Sequence, residues 1–454
     1  MTDKFISLSQ KGEAVWISDV REAFANCTGA KPLRVRLISL DGGTTDYPCP
    51  VPDWDTEEQR SFLLRYLTAR VFNVLSCYSG RALYICLDTE DGKLKALAED
   101  CIAAFYREPG LKKVLNIAGR LCRSLGLPAF EMGLIRHDDC LFPVSAVEGK
   151  QGELGEKLLR AVARSADGAY CGIDVGGTDI KLALSRDGRL LAVKEYDWDP
   201  AHSPDAEGIT GPILLLARLM QARLWSDNLP EYSAVRLLVE RALKKEADHR
   251  LMEEAVKACS DRDLPGFSGI GLSFPDIVIK NRILGGETPK TRGMRENEAL
   301  DYEREFMKLS DMGRELKALC RPEGRVEIVN DGPMAAFSAA AELAYGKEAE
   351  LGCGGIVAHS LGTDLGSGWI KGSGEIPDIP LELYDLLVDL GSDKWRAYNP
   401  DDLRSVRNEN SGLPGLRRYL GQAAAYRMAW QLEPELLEGF TKKTGDTLSI
   451  SMEP

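Results

Sequence analysis

Tyr170-Cys171-Gly172-Ile173-Asp174-Val175-Gly176-Gly177-Thr178-Asp179-Ile180-Lys181 is the stretch whose reading decides the fold. Tyr170 to Ile173 reads as a short strand, Ile180 to Ser185 as a second, and a Gly-Gly turn separates them. Such a turn leaves backbone N–H groups unshielded, and they can cradle phosphate oxygens. Thr178 offers a hydroxyl to a phosphate, and the Asp174 carboxylate can hold Mg²⁺ through water. A plain hairpin turn is the competing reading.

Downstream, Arg186-Asp187-Gly188-Arg189 signals another tight turn before a third strand, Leu190 to Tyr196. A long helical region is expected over Ala234 to Ala258. Strands are expected at Phe267–Ser273 and Arg325–Val329, the latter followed by a helix from Pro333 to Tyr345. Asn330-Asp331 falls between that strand and helix. A carboxylate there suits a general base that takes the proton of an attacking hydroxyl; an ordinary helix cap is the alternative. Gly354–Ser360 and Ser367–Lys371 read as paired strands around Gly362-Thr363-Asp364-Leu365-Gly366, a second turn able to approach phosphate closely.

Upstream, residues 1–165 read as a separate α/β domain. Strands are expected at Leu33–Leu40 and Ala82–Leu87, and helices at Glu57–Cys77, Gly92–Tyr106 and Leu111–Leu125. Asp41-Gly42-Gly43-Thr44-Thr45 looks like the first phosphate turn but is one residue shorter. With Pro48, Pro50 and Pro52 behind it, it reads as a loop without a paired second strand.

The bulk numbers narrow the function classes. A chain of 454 residues exceeds one ordinary core, and 44% hydrophobic residues make it globular. Its 57 Lys+Arg against 70 Asp+Glu leave a net charge of −13, which argues against nucleic acid as the main partner. The 11 cysteines are scattered singly without a CxxC, and the 4 histidines are isolated, so neither a disulfide framework nor a zinc site is expected. No signal peptide and no membrane span are seen, and a cytoplasmic setting follows.

Taken in order, several motifs add up. They are Asp174–Lys181, Gly269-Ile270-Gly271-Leu272-Ser273-Phe274-Pro275, Asn330-Asp331 with its Ala-rich helix, Leu361–Gly368 and Gly374-Glu375-Ile376-Pro377-Asp378. This succession, over roughly residues 168 to 440, resembles the ROK family of sugar kinases and regulators within the sugar kinase/Hsp70/actin superfamily. The resemblance implies an actin/hexokinase-like (ribonuclease H-like) α/β fold of two lobes, 166–331 and 332–454, the second reading as shortened at its C-terminal end. It implies ATP and Mg²⁺ as cofactors, with Asp174, Gly176, Gly177, Thr178 and Lys181 at one phosphate turn and Gly362, Thr363 and Gly366 at the other. Asp331 would be the catalytic base, and Asn330, Glu375 and Asp378 would contact a sugar or polyol. A homo-oligomer is compatible with this reading.

Departures from the family accompany the resemblance. Val329 stands where the family often has Glu, Asp276 where it has Gly, Asp364 where it has the second Gly of its phosphate turn, and Asp378 where it has His. The cysteine-rich zinc loop is absent. Thr288-Pro289-Lys290-Thr291-Arg292 replaces the Asn-containing sugar loop; its cations favour an anionic ligand unless the loop is simply solvated surface. Near the adenosine end only Gly439 remains of a Gly-Gly pair. Two readings result: an ATP-dependent sugar kinase, or a non-catalytic sensor that keeps the same architecture.

Overall fold

The computed structural model describes residues 1–136, 166–285, 288–346, 355–361 and 365–391, with scattered residues in 154–164 and 415–435. The chain divides into two compact units: residues 1–148, 359–367 and 379–454 form one, and residues 149–358 and 368–378 the other. Residues 379–391 fold with the N-terminal sheet because Leu387 and Leu390 bury themselves completely in its core.

In the first unit, strands β1 (Leu33–Ile38), β2 (Thr44–Pro48), β3 (Ala82–Leu87) and β4 (Glu131–Arg136) lie in the order β2-β1-β3-β4. β3 and β4 are parallel and the other pairs antiparallel. The longest helix among the described residues, Glu57–Tyr78, begins with a capping box in which Thr56 and Gln59 satisfy each other's backbone N–H groups. Its apolar face packs Phe62, Tyr66 and Phe72 into the core beside Phe5 and Phe24. The Asp41–Thr45 segment corrects the expectation of a loop: β2 does pair with β1, in register from Ile38 opposite Thr44 to Arg34 opposite Pro48. The prolines do not prevent this, because β2 is the edge strand and Pro48 is its last residue.

In the second unit, strands β5 (Ala169–Val175), β6 (Asp179–Arg186) and β7 (Arg189–Asp197) form an antiparallel meander. Its β6–β7 turn places Asp187 and Gly188 at φ 50° and 74°, the conformation that the Asp-Gly pair signals. β8 (Phe267–Phe274) then runs parallel to β5. After the short hairpin of β9 (Val278–Ile279) and β10 (Arg282–Ile283), β11 (Cys320–Asn330) runs parallel to β8. The order β11-β8-β5-β6-β7 is that of an actin/hexokinase-like, ribonuclease H-like lobe.

Alternation along the strands sends Ile173, Leu182, Leu272 and Ile328 to one face. The helix Glu207–Ser226 covers that face with Ile213, Leu216 and Met220. Leu272 is fully buried there, so Leu272→Ala is expected to destabilise the protein by about 2–5 kcal/mol in urea unfolding. The single helix expected over Ala234–Ala258 is two, Ala234–Ala242 and His249–Lys257. Asp248 divides them by capping the second, accepting from Leu251 N at 2.8 Å. The final hairpin pairs β12 (Gly355–Leu361) with β13 (Leu365–Lys371). No helix among the described residues is long and apolar enough to cross a membrane.

Candidate active site at the carboxyl ends of the central strands

The parallel strands β5, β8 and β11 end side by side, with Asp174 and Ser273 next to last in β5 and β8 and Asn330 last in β11. In register, Asp174 lies opposite Ser273, and Ser273 opposite Val329. Ligand sites of open α/β sheets gather at such carboxyl ends.

The Gly176–Thr178 turn is tied down on one side only. Gly176 N–H donates to Asp179 O at 2.7 Å. Trp198 donates from its indole to Gly176 O at 3.2 Å and from its backbone to Thr178 O at 3.0 Å. The N–H groups of Gly177 and Thr178, both exposed, find no protein acceptor among the described residues. Neither glycine needs a positive φ. Gly176 is required because a Cβ would come within 2.9 Å of two Asp179 oxygens, whereas beside Gly177 only Lys290 Cε approaches, at 3.5 Å. A side chain at Gly177 therefore leaves the backbone unstrained and fills the space above the free N–H groups. Gly177→Val is expected to abolish saturable binding of ATP with Mg²⁺ in calorimetry while leaving the melting temperature near that of the wild type.

The DGGT turn at Asp41–Thr44 lacks this opening. Its Gly42 N–H donates to Ser39 O, its Gly43 N–H donates to the Asp41 carboxylate, and the Arg81 guanidinium lies against Gly42. Two turns similar in sequence thus differ in whether their donors are already used.

Asp331 begins the helix Asp331–Tyr345 at the end of β11. Capping of that helix falls to its neighbour: Asn330 Oδ1 accepts from Gly332 N at 2.9 Å, two residues on. Asp331 Oδ1 accepts from the adjacent Gly332 N at 3.0 Å. Asp331 is open to solvent, yet protein crowds around it. That crowding pushes its pKa above the usual carboxylate value; the positive charge of Lys290 and the Gly332 N–H oppose the rise, and the negative charge of Asp174 adds to it. Asp174, Asp331 and Lys290 therefore share one electrostatic environment beside the glycine turn.

Lys290 sits on a built loop. The 3₁₀ turn Pro289–Thr291 leads into the short helix Arg292–Glu296. Thr291 and Met294 are buried, and Arg295 donates to Thr288 O at 2.7 Å. Gly293 packs so tightly on Ala201–Ser203 that a Cβ would overlap their backbone. This corrects the reading of 288–292 as solvated surface. No hydrogen bond or ion pair within the described residues occupies the Lys290 ammonium.

Two further hydroxyls lie on the flanking segments, Ser273 near the end of β8 and Thr288 two residues before Lys290. Ser273 Oγ, on a residue 1% exposed, and Thr288 Oγ1 are buried without a hydrogen-bond partner among the described residues. A buried hydroxyl without a partner costs free energy that a polar ligand can return. Ser273 carries no signal in the sequence apart from its place before Phe274-Pro275.

The remaining residues singled out in the sequence fall as follows. Lys181 Nζ contacts both carboxylate oxygens of Asp179 at 3.0 Å, which raises its pKa; it is directed at its own strand neighbour. Asn330 Nδ2 donates to Asp276 O at 2.8 Å, so the amide is partly spent inside the protein. Asp276 is itself buried, with Oδ1 accepting from Ile277 N. Glu375 and Asp378 follow β13; Glu375 is exposed and accepts from Ser373 Oγ at 3.3 Å. Gly362, Thr363 and Asp364 lie outside the described residues. At Gly366 a Cβ would make an ordinary contact, 3.6 Å from Ser360. Gly368, not singled out, is the glycine that packing demands: a Cβ there would overlap the backbone of Gly332 and Pro333, so β13 lies directly on the start of the helix that carries Asp331.

No family model matches the sequence. No curated protein matches it either. Among solved structures, the Lmo2764 protein of Listeria monocytogenes is similar at 16% identity and a TM-score of 0.32, over 60% of this chain and 67% of that one. Glucokinase from Balamuthia mandrillaris, in complex with glucose, is 14% identical with a TM-score of 0.30, over 64% and 72%. The ROK hexokinase from Thermus thermophilus is 17% identical with a TM-score of 0.26, over 58% and 63%, so the chain spans less than two thirds of that enzyme. Scores this low transfer no residue roles. The class, an α/β protein with an actin/hexokinase-like lobe, is defined by the chain's own strand order.

Proposed function

We propose that this protein transfers the γ-phosphoryl group of ATP to a hydroxyl of a sugar or polyol. The observation that carries the reading is the meeting of a turn, two carboxylates and a lysine at the carboxyl ends of β5, β8 and β11, the turn's N–H donors and the lysine having no partner among the described residues. Mg²⁺ fits the residues present. Asp174 is an exposed carboxylate with no hydrogen-bond partner among the described residues, and Mg²⁺ is commonly held by one carboxylate plus waters and phosphate oxygens. When bound, MgATP supplies the electrophilic phosphorus and an activated leaving group.

The chain's own contributions follow from position. Gly177 and Thr178 N–H groups, with the Thr178 hydroxyl, hold phosphate oxygens. Lys290, reaching over the same turn, offsets the charge of the phosphoryl group against two carboxylates. Ser273 and Thr288 hydroxyls bond the acceptor, and the Asp331 carboxylate takes the proton of the attacking hydroxyl. Most of the rate then comes from positioning and electrostatics. A coupled ADP-release assay across neutral, amino, acidic and phosphorylated sugars tests this; turnover of at least one supports it. Saturable ATP or sugar binding without turnover of any acceptor would instead favour a non-catalytic sensor.

A further inference from the structure

The peptide between Gly176 and Gly177 has no side chain on either flank, so its plane rotates more freely than one between bulkier residues. The turn also lacks an ordinary restraint. Gly176 N–H closes it onto Asp179 O, leaving Gly177 and Thr178 at the corners. A two-residue turn between antiparallel strands usually matches their twist with a positive φ at a corner, and neither Gly177 nor Thr178 has one. A contact from outside the turn must therefore set the plane of that peptide. Among the described residues the Gly176 carbonyl has one donor, the Trp198 indole at 3.2 Å. In a planar trans peptide the C=O and the N–H point in opposite directions. The bond that draws the Gly176 carbonyl towards Trp198 thus turns the Gly177 N–H away from it, to the side where no acceptor stands among the described residues.

The donor is itself firmly carried. Trp198 N donates to Thr178 O at 3.0 Å, and the ring packs against the core of this unit. Pro200 is buried, and the backbone of Ala201–Ser203 lies close against Gly293. Pro204 O accepts from Asn297 Nδ2 at 2.9 Å, and Asp205 Oδ1 accepts from Gly208 N at 2.9 Å. Residues 198 to 205 are thereby fastened along their whole length, and an indole on such a segment keeps its direction before any ligand arrives.

We propose that Trp198 is the positioning residue of the phosphate turn, its indole N–H orienting the Gly176–Gly177 peptide so that the Gly177 N–H faces the phosphate; this rests on the reading of the turn as a phosphate site. Trp198 acts through the turn. A peptide that donates from its N–H accepts more strongly at its carbonyl, so the indole bond and the phosphate bond reinforce each other across one peptide group. The turn's affinity for phosphate then depends on a donor 22 residues downstream of Gly176.

The test uses the full-length protein with tripolyphosphate and Mg²⁺ as the probe, so that it does not depend on turnover. Trp198→Phe removes the donor. Replacement of Trp198 by 3-benzothienylalanine removes it as well but keeps the size of the ring, with sulfur in place of the N–H, and serves where the Phe variant folds poorly. Calorimetry should give a Kd for tripolyphosphate raised about 5-fold, the scale of one lost hydrogen bond, with the melting temperature of the benzothienylalanine protein at the wild-type value. In the wild type, the indole N–H resonance missing from the variants should move downfield as the probe binds. A benzothienylalanine protein that binds as tightly as the wild type would overturn the proposal, as would an indole resonance that stays in place at saturation. Binding by the wild type without turnover of any acceptor removes the kinase reading and leaves Trp198 in its role. No saturable binding by the wild type removes the phosphate site and this role together.

Discussion

Asp331→Asn is expected to lower turnover by about 10²-fold or more, the usual range for loss of a general base, while ATP and acceptor still bind. The amide keeps the shape of the side chain, and its oxygen can still accept from Gly332 N as the carboxylate does. Capping of the helix rests on Asn330, so the start of Asp331–Tyr345 is undisturbed. The melting temperature should therefore stay close to that of the wild type. Steady-state kinetics with calorimetric binding of both ligands checks this, and undiminished turnover would remove Asp331 from the mechanism.

Lys290→Met is expected to lower kcat on the order of 10²-fold, the scale for removing one preorganised charge from a transition state, and to change the pH profile in a defined direction. The base works ionised, so activity rises with pH through the pKa of Asp331. Crowding already places that pKa above the ordinary carboxylate value, and Lys290 pulls it down while Asp174 pushes it up. Removing the cation leaves the backbone N–H groups of Gly332 and of Asp331 itself to resist the rise. The acidic limb of kcat should move to higher pH in the variant, and part of the lost rate should return as pH increases. Met keeps the length of the apolar stem beside Gly177, so a profile that falls in height without moving would show that Lys290 acts on the phosphates alone. An unchanged kcat would exclude it from the site.

Much of this site was legible in the chain because the features that make it are local. A Gly-Gly turn between two strands shows as glycine spacing, and a carboxylate at a strand-to-helix junction shows as a hydrophobic run ending in Asn330-Asp331 before small residues. What was not legible depended on who satisfies whom. Asp41–Thr44 and Asp174–Thr178 share their letters nearly in full, yet Arg81 and Asp41 close the first while the N–H groups of Gly177 and Thr178 stay free. Lys181 stood in the motif, but Asp179, two residues away on the same face of β6, holds it. Lys290 stood in what could pass for a surface loop, and only the packing of Thr291, Gly293 and Met294 brings it to the turn.

By itself the sequence determined the three strands of the β5 to β7 meander, the existence of strands β8 and β11, and the placing of Asp174 and Asn330-Asp331 at the ends of β5 and β11. Period-two alternation, Gly turns and small-residue helices are short-range consequences of backbone geometry. Tertiary structure alone decided the meeting of Lys290 with Asp174 and Asp331, the burial of the Ser273 hydroxyl, the contact of Gly368 with Gly332, and the packing of Leu387 and Leu390 into the core beside the helix Glu57–Tyr78. Each joins residues tens to hundreds of positions apart. The pairing of such distant groups is set by which surfaces bury best together, a quantity that no window of sequence contains.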